Sequence, residues 1–285
     1  MKLNNFPNDI LLLIVSYILE PVYKLLNWIP KDKLNLHCLC ANPRAIELFK
    51  NKLDNKSISW LYLCANPKAI DIIENILSNK NSIYLNKIDW YYLSLNPSAI
   101  NILKINFNKI KFDELSMNQS LDAIEILEKN IQRINWSNLS RNKYAIKILL
   151  ENKDRIDWLA LSFNKSDQAI ELFENNMDKI YWSFLCANPS NKAISIIFNN
   201  FDKIDWNYLS LNTNLEAISI LSNNLDKVNW RFLSQNISAI KILEQNIDLI
   251  SWIDISLNLS IFQIDIHSSN IKYKNWLTNL FNFQN

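Results

Sequence analysis

Residues 204–224 read IDWNYLSLNTNLEAISILSNN, and most of the chain is a variation on this stretch. Trp206 marks its phase, and a Trp or another large apolar residue recurs in the same phase along the chain. These phase-marking residues, called markers, are Leu36, Trp60, Trp90, Phe112, Trp136, Trp158, Trp182, Trp206, Trp230, Trp252 and Trp276. Apart from one longer step, about 22 or 24 residues separate neighbouring markers, a short period that is typical of a repeat array.

Each repeat carries the pattern of two helices. The shorter helix begins after an N-cap such as Asp205 and reads Trp-x-x-Leu-Ser, so that Trp and Leu share one face. The longer helix opens with Ala-Ile, as at Ala217 and Ile218, and the Asn or Ser four residues before the Ile, here Asn214, is a preferred N-cap. One core layer is then expected to contain Trp206, Leu209, Ile218 and Leu221.

The sequence therefore predicts an all-α fold, an α-solenoid of about ten short helix-pair repeats of 22–24 residues each, with N- and C-terminal capping helices. Helix pairs stacked roughly 10 Å apart would form a curved rod on the order of 100 Å long. We expect N-terminal helices in 1–30, with a short second helix starting at Pro21, and the repeat array in 31–258. A degenerate last repeat and a C-terminal cap helix around Trp276 are expected in 259–285.

Two Asn positions recur more strictly than the Trp. One lies six residues after the Ile of the longer helix, at Asn106, Asn130, Asn152, Asn176, Asn200, Asn224 and Asn246. The chain contains no Gly, and Asn is the second choice after Gly for the left-handed residue that ends a helix, so we predict that role here. The other lies six residues after the markers, at Asn42, Asn66, Asn96, Asn118, Asn142, Asn164, Asn188, Asn212, Asn236 and Asn258. We predict that this second Asn closes the short helix and that its amide bonds neighbouring repeats.

The N-terminal segment resembles the start of an F-box. Residues 6–18 read FPNDILLLIVSYI, and Pro7, Asp9, Ile10, Leu11, Ile14, Tyr17 and Ile18 match the first F-box helix, with Phe6 in place of its leading Leu. The match covers about 15 residues of a motif of roughly 45. It implies docking to the Skp1 adaptor of a cullin-based ubiquitin ligase through Phe6, Pro7, Ile10, Leu11 and Ile14. A cap that shields the first repeat would use the same apolar residues, and both roles can hold at once.

The repeat itself is similar to a tandem repeat found in giant DNA viruses of the mimivirus-like group. The shared pattern is Ile-Asp-Trp-x-x-Leu-Ser-x-Asn-Pro-x-Ala-Ile-x-Ile-Leu, and it covers about 240 residues of this chain. The abundance of Asn, Ile and Lys, whose codons are AT-rich, fits such a source. The resemblance implies a helical repeat protein of viral origin, directed at the host, with no assigned activity.

Composition excludes several classes of function. The 30 basic and 28 acidic residues give a net charge of +2, and a duplex-binding surface is usually strongly basic, so we expect no nucleic-acid partner. The lack of Gly excludes Gly-rich phosphate loops. Two histidines and carboxylates spread at repeat spacing offer no catalytic constellation, so we expect no enzyme, cofactor or metal site.

Cysteine usage and hydropathy indicate a compartment. Cys40, Cys64 and Cys186 fall on a repeat position that elsewhere holds Ser, which favours small buried thiols over disulfides. The apolar run at 10–19 lacks the flanks of a signal peptide, and nothing approaches the roughly 20 apolar residues of a membrane span. We expect an intracellular monomer in the host cytoplasm, without membrane contact.

The residues just after the markers lie off the predicted core stripe and vary between repeats. Tyr, Phe and Arg are enriched at protein interfaces, and we predict a partner-binding surface that contains Tyr92, Asn138, Tyr208, Arg231 and Phe232. The alternative is that these aromatic side chains pack between repeats.

The predicted function is a non-catalytic protein–protein interaction scaffold. The alternatives are an F-box-type substrate receptor of a ubiquitin ligase and a structural component of the virion or replication factory.

Overall fold

The computed structural model describes residues 8–49, 53 and 58–282, and the side chains of 11–13, 15–49, 53 and 58–279. The chain divides into two compact units. One, called the array, is Asp32–Leu259, and the other, called the terminal unit, combines Met1–Lys31 with Ser260–Asn285. The described residues are mainly helical, with one two-stranded sheet among them, which confirms the predicted all-α class.

Each of the first ten markers begins a short α-helix. These helices are α2 Leu36–Leu39, α3 Trp60–Ala65, α5 Trp90–Leu95, α7 Phe112–Leu115, α9 Trp136–Ser140, α11 Trp158–Leu161, α13 Trp182–Cys186, α15 Trp206–Leu209, α17 Trp230–Gln235 and α19 Trp252–Ile255. We number the repeats 1 to 10 by these helices. The predicted N-caps of these short helices are present: the carboxylate of Asp205 accepts the N–H groups of Asn207 and Tyr208 at 3.0 and 3.3 Å. In the longer helices the predicted caps Ser120 and Ser166 make no such bond.

The longer helix follows in the first nine repeats. In repeat 1 it is a 3₁₀ helix at Pro43–Leu48, and in the others it is α4 Ile70–Ser78, α6 Ile100–Ile105, α8 Leu121–Glu128, α10 Ile146–Glu151, α12 Asp167–Glu171, α14 Asn191–Phe198, α16 Leu215–Ser222 and α18 Ile240–Gln245. Short 3₁₀ turns such as Phe107–Lys109 and Leu225–Lys227 lead from these helices to the next marker. The additional residues before Trp90 form turns and the 3₁₀ turn Leu85–Lys87 after a longer α4.

The core consists of one thin apolar layer per repeat. Leu209, Ala217 and Leu221 are fully buried in repeat 8, and their equivalents are buried in the other repeats. Trp206 and Ile218 are only partly buried. The predicted layer is therefore right for Leu209 and Leu221, Ala217 is buried beside them, and Trp206 and Ile218 lie at the edge of the core.

The Asn six residues after each marker joins neighbouring repeats, as predicted. In repeat 5, the Asn142 side-chain amide donates to the carbonyls of Ser116 and Asn118 in repeat 4, at 3.1 and 2.8 Å. Its Oδ1 accepts the N–H of Tyr144 at 3.0 Å, and its backbone N–H closes α9 by donating to the carbonyl of Leu139. All ten of these Asn side chains are buried and make the equivalent interrepeat bonds.

The same bonds close the array on itself. The Asn42 amide of repeat 1 donates to the carbonyls of Ser256 and Asn258 in repeat 10, at 3.4 and 3.2 Å. Arg44 adds a bond from its guanidinium to the carbonyl of Leu259 at 2.9 Å. Repeat 1 thus binds repeat 10 as every other repeat binds its predecessor. The expected curved rod is wrong, because these bonds join the two ends of the array and make it a ring.

A second circuit of hydrogen bonds runs parallel to the Asn ladder. The hydroxyl of Ser210 donates to the carbonyl of its own marker Trp206 at 2.8 Å and accepts the N–H of Asn229 in the next repeat at 3.0 Å. Cys40, Cys64 and Cys186 accept the same N–H through sulfur at 3.3–3.4 Å. The seam between repeats 10 and 1 is closed likewise, by the N–H of Asn35 on the hydroxyl of Ser256 at 2.9 Å.

The Asn after the longer helix ends it in a way that differs from the prediction. No described non-Gly residue has a positive φ, and Asn224 has φ −139° and ψ 51°, so the expected left-handed conformation is wrong. Instead the Asn224 side-chain amide donates to the carbonyl of Ile220, four residues earlier, at 2.9 Å. The amide thereby satisfies a carbonyl that the end of the helix leaves without a partner. Asn106, Asn130, Asn152, Asn176, Asn200 and Asn246 do the same.

The terminal unit joins the two ends of the chain. Helix α1 is Asn8–Ile18 and packs with Leu11 and Val15 against Tyr273 and Leu277 of α20, Ile266–Asn282. Strand β1, Tyr23–Leu25, pairs antiparallel with β2, Phe262–Ile264. The short helix expected after Pro21 is wrong, because the chain there extends into β1. Trp276 lies within α20 and does not start another repeat.

The Asn ladder predicts a large effect of a single polar substitution. Asn142→Ala removes the amide that satisfies two buried carbonyls, and we expect it to lower the free energy of unfolding by about 2–4 kcal/mol. Asn108→Ala, at an exposed position, should change it by less than about 0.5 kcal/mol. Urea denaturation followed by circular dichroism measures both. Equal stabilities of the two variants would contradict the ladder as a stabilising feature.

Candidate interaction surface

A row of aromatic rings runs across repeats 6 to 9. The ring centroids of Phe163 and Phe184 are 4.1 Å apart, those of Phe184 and Tyr208 are 5.5 Å apart, and those of Tyr208 and Phe232 are 6.2 Å apart. Tyr181 packs on Phe184 at 4.7 Å and is 49% exposed. We call Phe163, Phe184, Tyr208 and Phe232 the aromatic ladder; each ring is partly exposed.

The two ends of the ladder carry charged groups. At the end formed by Phe163, the guanidinium of Arg141 lies 4.3 Å from the ring centroid. Beyond Phe232, repeat 10 places Asp254 at the equivalent position, where its carboxylate accepts bonds from Arg231 at 3.1 Å and from Gln235 and Ser251 at 2.6 Å each. Asp254 is only 6% exposed, and its charge is paired with that of Arg231. The ladder itself therefore consists of four uncharged rings, with the Arg141 guanidinium at one end and the Arg231–Asp254 pair at the other.

The structure brings together part of the predicted partner-binding set. Tyr208 and Phe232 are adjacent in the ladder, and Arg231 lies beside them, paired with Asp254. Tyr92 occupies the same repeat position in repeat 3 and contacts Tyr91 at 5.2 Å. In repeat 5 that position is held by Asn138, whose amide donates to the carbonyl of Asp113 at 2.8 Å. Four of the predicted residues thus share one repeat position, Arg231 stands one residue before it, and the set does not form one contiguous patch.

Sequence reasoning missed Phe163, Phe184 and Tyr181. Phe184 stands two residues after its marker, in the same position as Tyr208 and Phe232, and reading that column through all repeats would have found it. Phe163 stands five residues after its marker, and it joins the ladder because its ring packs on Phe184, the third residue of the following short helix. The rings pack between repeats, as the alternative interpretation expects, and remain partly exposed; partner binding by them stays a prediction.

The predicted adaptor-docking residues lie in or before α1. Phe6 and Pro7 are outside the described residues, as are the side chains of Ile10 and Ile14. Leu11 is 5% exposed and is covered by α20. The exposed apolar side chains of α1 are Leu13, Tyr17 and Ile18, at 57%, 85% and 61%.

Many marker faces are covered by cations from the following repeat. Lys227 lies 4.5 Å from the Trp206 ring centroid and Lys179 lies 4.3 Å from that of Trp158. Arg133, Arg155 and Lys33 cover Phe112, Trp136 and Trp252 in the same way, the last across the seam. Each cation stands three residues before its own marker. These markers act in repeat packing through cation–π contacts, and their covered faces leave no aromatic cage.

Other polar features of the array are structural. Burial raises the pKa of the thiols of Cys64 and Cys186 to about 11, so they are poor nucleophiles at neutral pH. Burial raises the pKa of the Glu114 carboxyl, and the neighbouring Glu114 raises the pKa of Tyr91. Within the described residues, no group of three or more His, Cys, Asp or Glu side chains could hold a metal ion. No helix in that part of the chain is long and apolar enough to cross a membrane.

Comparison with known proteins gives no relative. No family model, no curated protein and no solved structure matches the chain.

Burial of the thiols predicts a pH dependence of stability. The pKa of Cys64 and Cys186 is about 11 in the folded chain against 9.0 in the unfolded chain. The contribution of the buried neutral thiols to the free energy of unfolding is therefore complete below pH 9 and lost as the pH rises towards 11. At pH 10 each thiol should lower the free energy of unfolding by about 1.4 kcal/mol relative to neutral pH. The double variant Cys64→Ser with Cys186→Ser keeps the hydrogen bonds without an ionisable thiol. Urea denaturation at pH 7 and 10 should show a smaller loss for this variant, and equal losses would contradict the account.

Proposed function

We propose that the chain is a non-catalytic scaffold for protein–protein interaction and that the aromatic ladder is its binding surface. The observation that carries the proposal is the unbroken row of partly exposed rings across four consecutive repeats. Large rigid aromatic side chains supply contact area at low entropic cost, which is why they are enriched in the core of interfaces. The viral, host-directed role implied by the repeat resemblance belongs to the same proposal.

The ring supports this role because it holds the ladder rigid. The short helices that carry the ladder are fixed by two hydrogen-bond circuits that return to their starting repeat. A closed array cannot bend about a free end, and a preorganised surface loses less conformational entropy when a partner binds. The surface would then bind a partner with little rearrangement.

A variant that borrows residues from other repeats tests the proposal. Ala160 and Asn138 occupy the ladder position in repeats 6 and 5, so Phe184→Ala, Tyr208→Asn and Phe232→Asn should preserve the fold. We expect this triple variant to capture at least about tenfold less of each protein that the wild-type chain captures in its host. Quantitative mass spectrometry after affinity capture gives the ratio, with circular dichroism and the melting temperature as checks on folding.

A matched control changes exposed apolar residues at a different repeat position. Phe107→Lys with Phe201→Lys alters residues that are 43% and 53% exposed, at a position where repeat 6 has Lys153. This control should retain the captured proteins. If the triple variant retains the captured proteins, or if only the control loses them, the binding surface lies elsewhere.

An F-box-type receptor function remains the second proposal, favoured by the apolar residues that α1 leaves exposed. Docking of Skp1 through Leu11 would require α20 to release that side chain, because Leu11 packs against Tyr273 and Leu277. Substitution of Leu11 would therefore disturb the terminal unit as well as the adaptor contact. Tyr17→Ser, at a side chain that is 85% exposed, separates the two effects in a binding assay with purified Skp1.

A structural role in the virion or replication factory has a separate test. It predicts that the protein is found in purified virus particles.

A further inference from the structure

We infer that the closed array opens first at repeat 4, which spans residues 111–128. An array whose two ends bind each other has no free end from which unfolding can begin, so the repeat with the fewest local bonds decides where it opens. Repeats 4 and 8 have the same spacing of 24 residues from their own marker to the next. At three positions, repeat 8 makes hydrogen bonds from a side chain to the backbone that repeat 4 lacks.

The first position is the N-cap of the short helix. Lys111 precedes α7, and its side chain makes no bond to the first turn of that helix. In repeat 8 the same position is held by Asp205, whose carboxylate accepts two N–H groups at 3.0 and 3.3 Å. Such a cap satisfies N–H groups that the start of a helix leaves without a partner. The short helix of repeat 4 therefore begins without this stabilisation.

The second position is the turn between the two helices. In repeat 8, the Oδ1 of Asn212 accepts the N–H of Asn214 at 2.9 Å. In repeat 4, the side chain of Asn118 is fully buried, and its Oδ1 has no partner among the described residues. The turn follows a different backbone path, with φ −125° at Ser120 against −69° at Asn214. A buried acceptor that makes no bond has lost its hydration without compensation.

The third position is the N-cap of the longer helix. The hydroxyl of Ser120 makes no bond to the first turn of α8, whereas the Asn214 side chain accepts the N–H of Glu216 at 2.9 Å. The turn and the starts of both helices in repeat 4 are thus weaker than their equivalents in repeat 8.

Two ion pairs link α8 to its neighbours without offsetting this loss. Lys104 lies 3.3 Å from the carboxylate of Asp122, and Lys147 lies 3.4 Å from that of Glu128. All four side chains are at least 40% exposed. Ion pairs between exposed side chains contribute little to stability.

A buried carboxyl weakens repeat 4 further. Glu114 is 9% exposed and stands where repeat 8 has Tyr208. Burial raises the pKa of the Glu114 carboxyl, and its titratable or charged neighbours are Tyr91, Asp113 and Lys111. The folded repeat therefore disfavours the ionised form that an exposed carboxyl takes at neutral pH.

Other repeats lack fewer of these bonds. Tyr181 does not cap the short helix of repeat 7, and Ser166 does not cap the longer helix of repeat 6, but in both repeats the Oδ1 of the buried Asn holds its turn. At the seam, Asn35 caps α2 and the Oδ1 of Asn42 accepts the N–H of Arg44. Within the described array, repeat 4 is where all three positions fail together. The aromatic ladder, on repeats 6 to 9, lies in the part that stays folded.

Native-state hydrogen–deuterium exchange of the full chain measures the opening of each repeat. We expect the amides of 124–128 in α8 to have protection factors at least about tenfold lower than the equivalent amides of 218–222 in α16. Lys111→Asn with Ser120→Asn supplies the caps that Asn135 and Asn214 provide in other repeats. This repaired variant should raise the protection of 124–128 by at least about fivefold and leave that of 218–222 unchanged.

The matched control moves the residues of repeat 4 into repeat 8. Asp205→Lys with Asn214→Ser should lower the protection of 218–222 by at least about fivefold. Equal protection of the two stretches in the wild type, or repair that leaves 124–128 unchanged, would overturn the inference, as would a control in which 218–222 keeps its protection. Lower protection at 36–42 than in repeat 4 would place the opening at the seam and would also overturn it.

Discussion

The array depends on one buried carboxamide per repeat. An Asn side chain can donate two hydrogen bonds and accept two, and here it uses both functions: its amide bonds the carbonyls of the preceding repeat, and its oxygen holds the turn that leads into the longer helix. The only described buried side-chain polar atom without a partner is Oδ1 of Asn118. In a repeat whose core is one thin apolar layer, unmade bonds at this position would be costly, since buried polar groups need partners. This requirement explains why Asn recurs where Trp, Pro and Ser all change.

The repeat unit could be predicted from the sequence because its determinants are local. N-caps such as Asp205, the Ala-Ile start of the longer helix and the Asn that ends it act within about ten residues, and the pattern repeats often enough to fix their phases. Ring closure could not be predicted, because it depends on the rotation from one repeat to the next. That rotation is a sum of small packing effects, and no single residue reports it. The contact of Asn42 with Asn258 joins the first and last members of the Asn column, which the sequence pattern does not show to be neighbours. The conformation of Asn224 was missed because a side-chain bond replaces the left-handed backbone that Asn often adopts.

The candidate site was predictable only as a repeat position. The column two residues after the marker correctly located Tyr208 and Phe232 beside each other, since equivalent residues of adjacent repeats stack. Phe163 comes from another column, and its contact with Phe184 reflects the offset between neighbouring short helices. The pairing of Arg231 with Asp254 likewise depends on side-chain geometry between repeats 9 and 10. The charge of the surface therefore follows from the fold and could not be read from net composition.

The distance between repeats 1 and 8 tests ring closure most directly. With the four native cysteines replaced by Ser, spin labels at exposed residues His37 and Asn207 report this distance by double electron–electron resonance, and labels at Tyr91 and Leu159 provide the reference. His37 and Asn207 are three repeat steps apart when counted through the seam, and Tyr91 and Leu159 are three repeat steps apart along the chain. A closed ring predicts similar distance distributions for the two pairs. An open array would place His37 and Asn207 seven steps apart, on the order of 70 Å at roughly 10 Å per step, and that result would contradict the account.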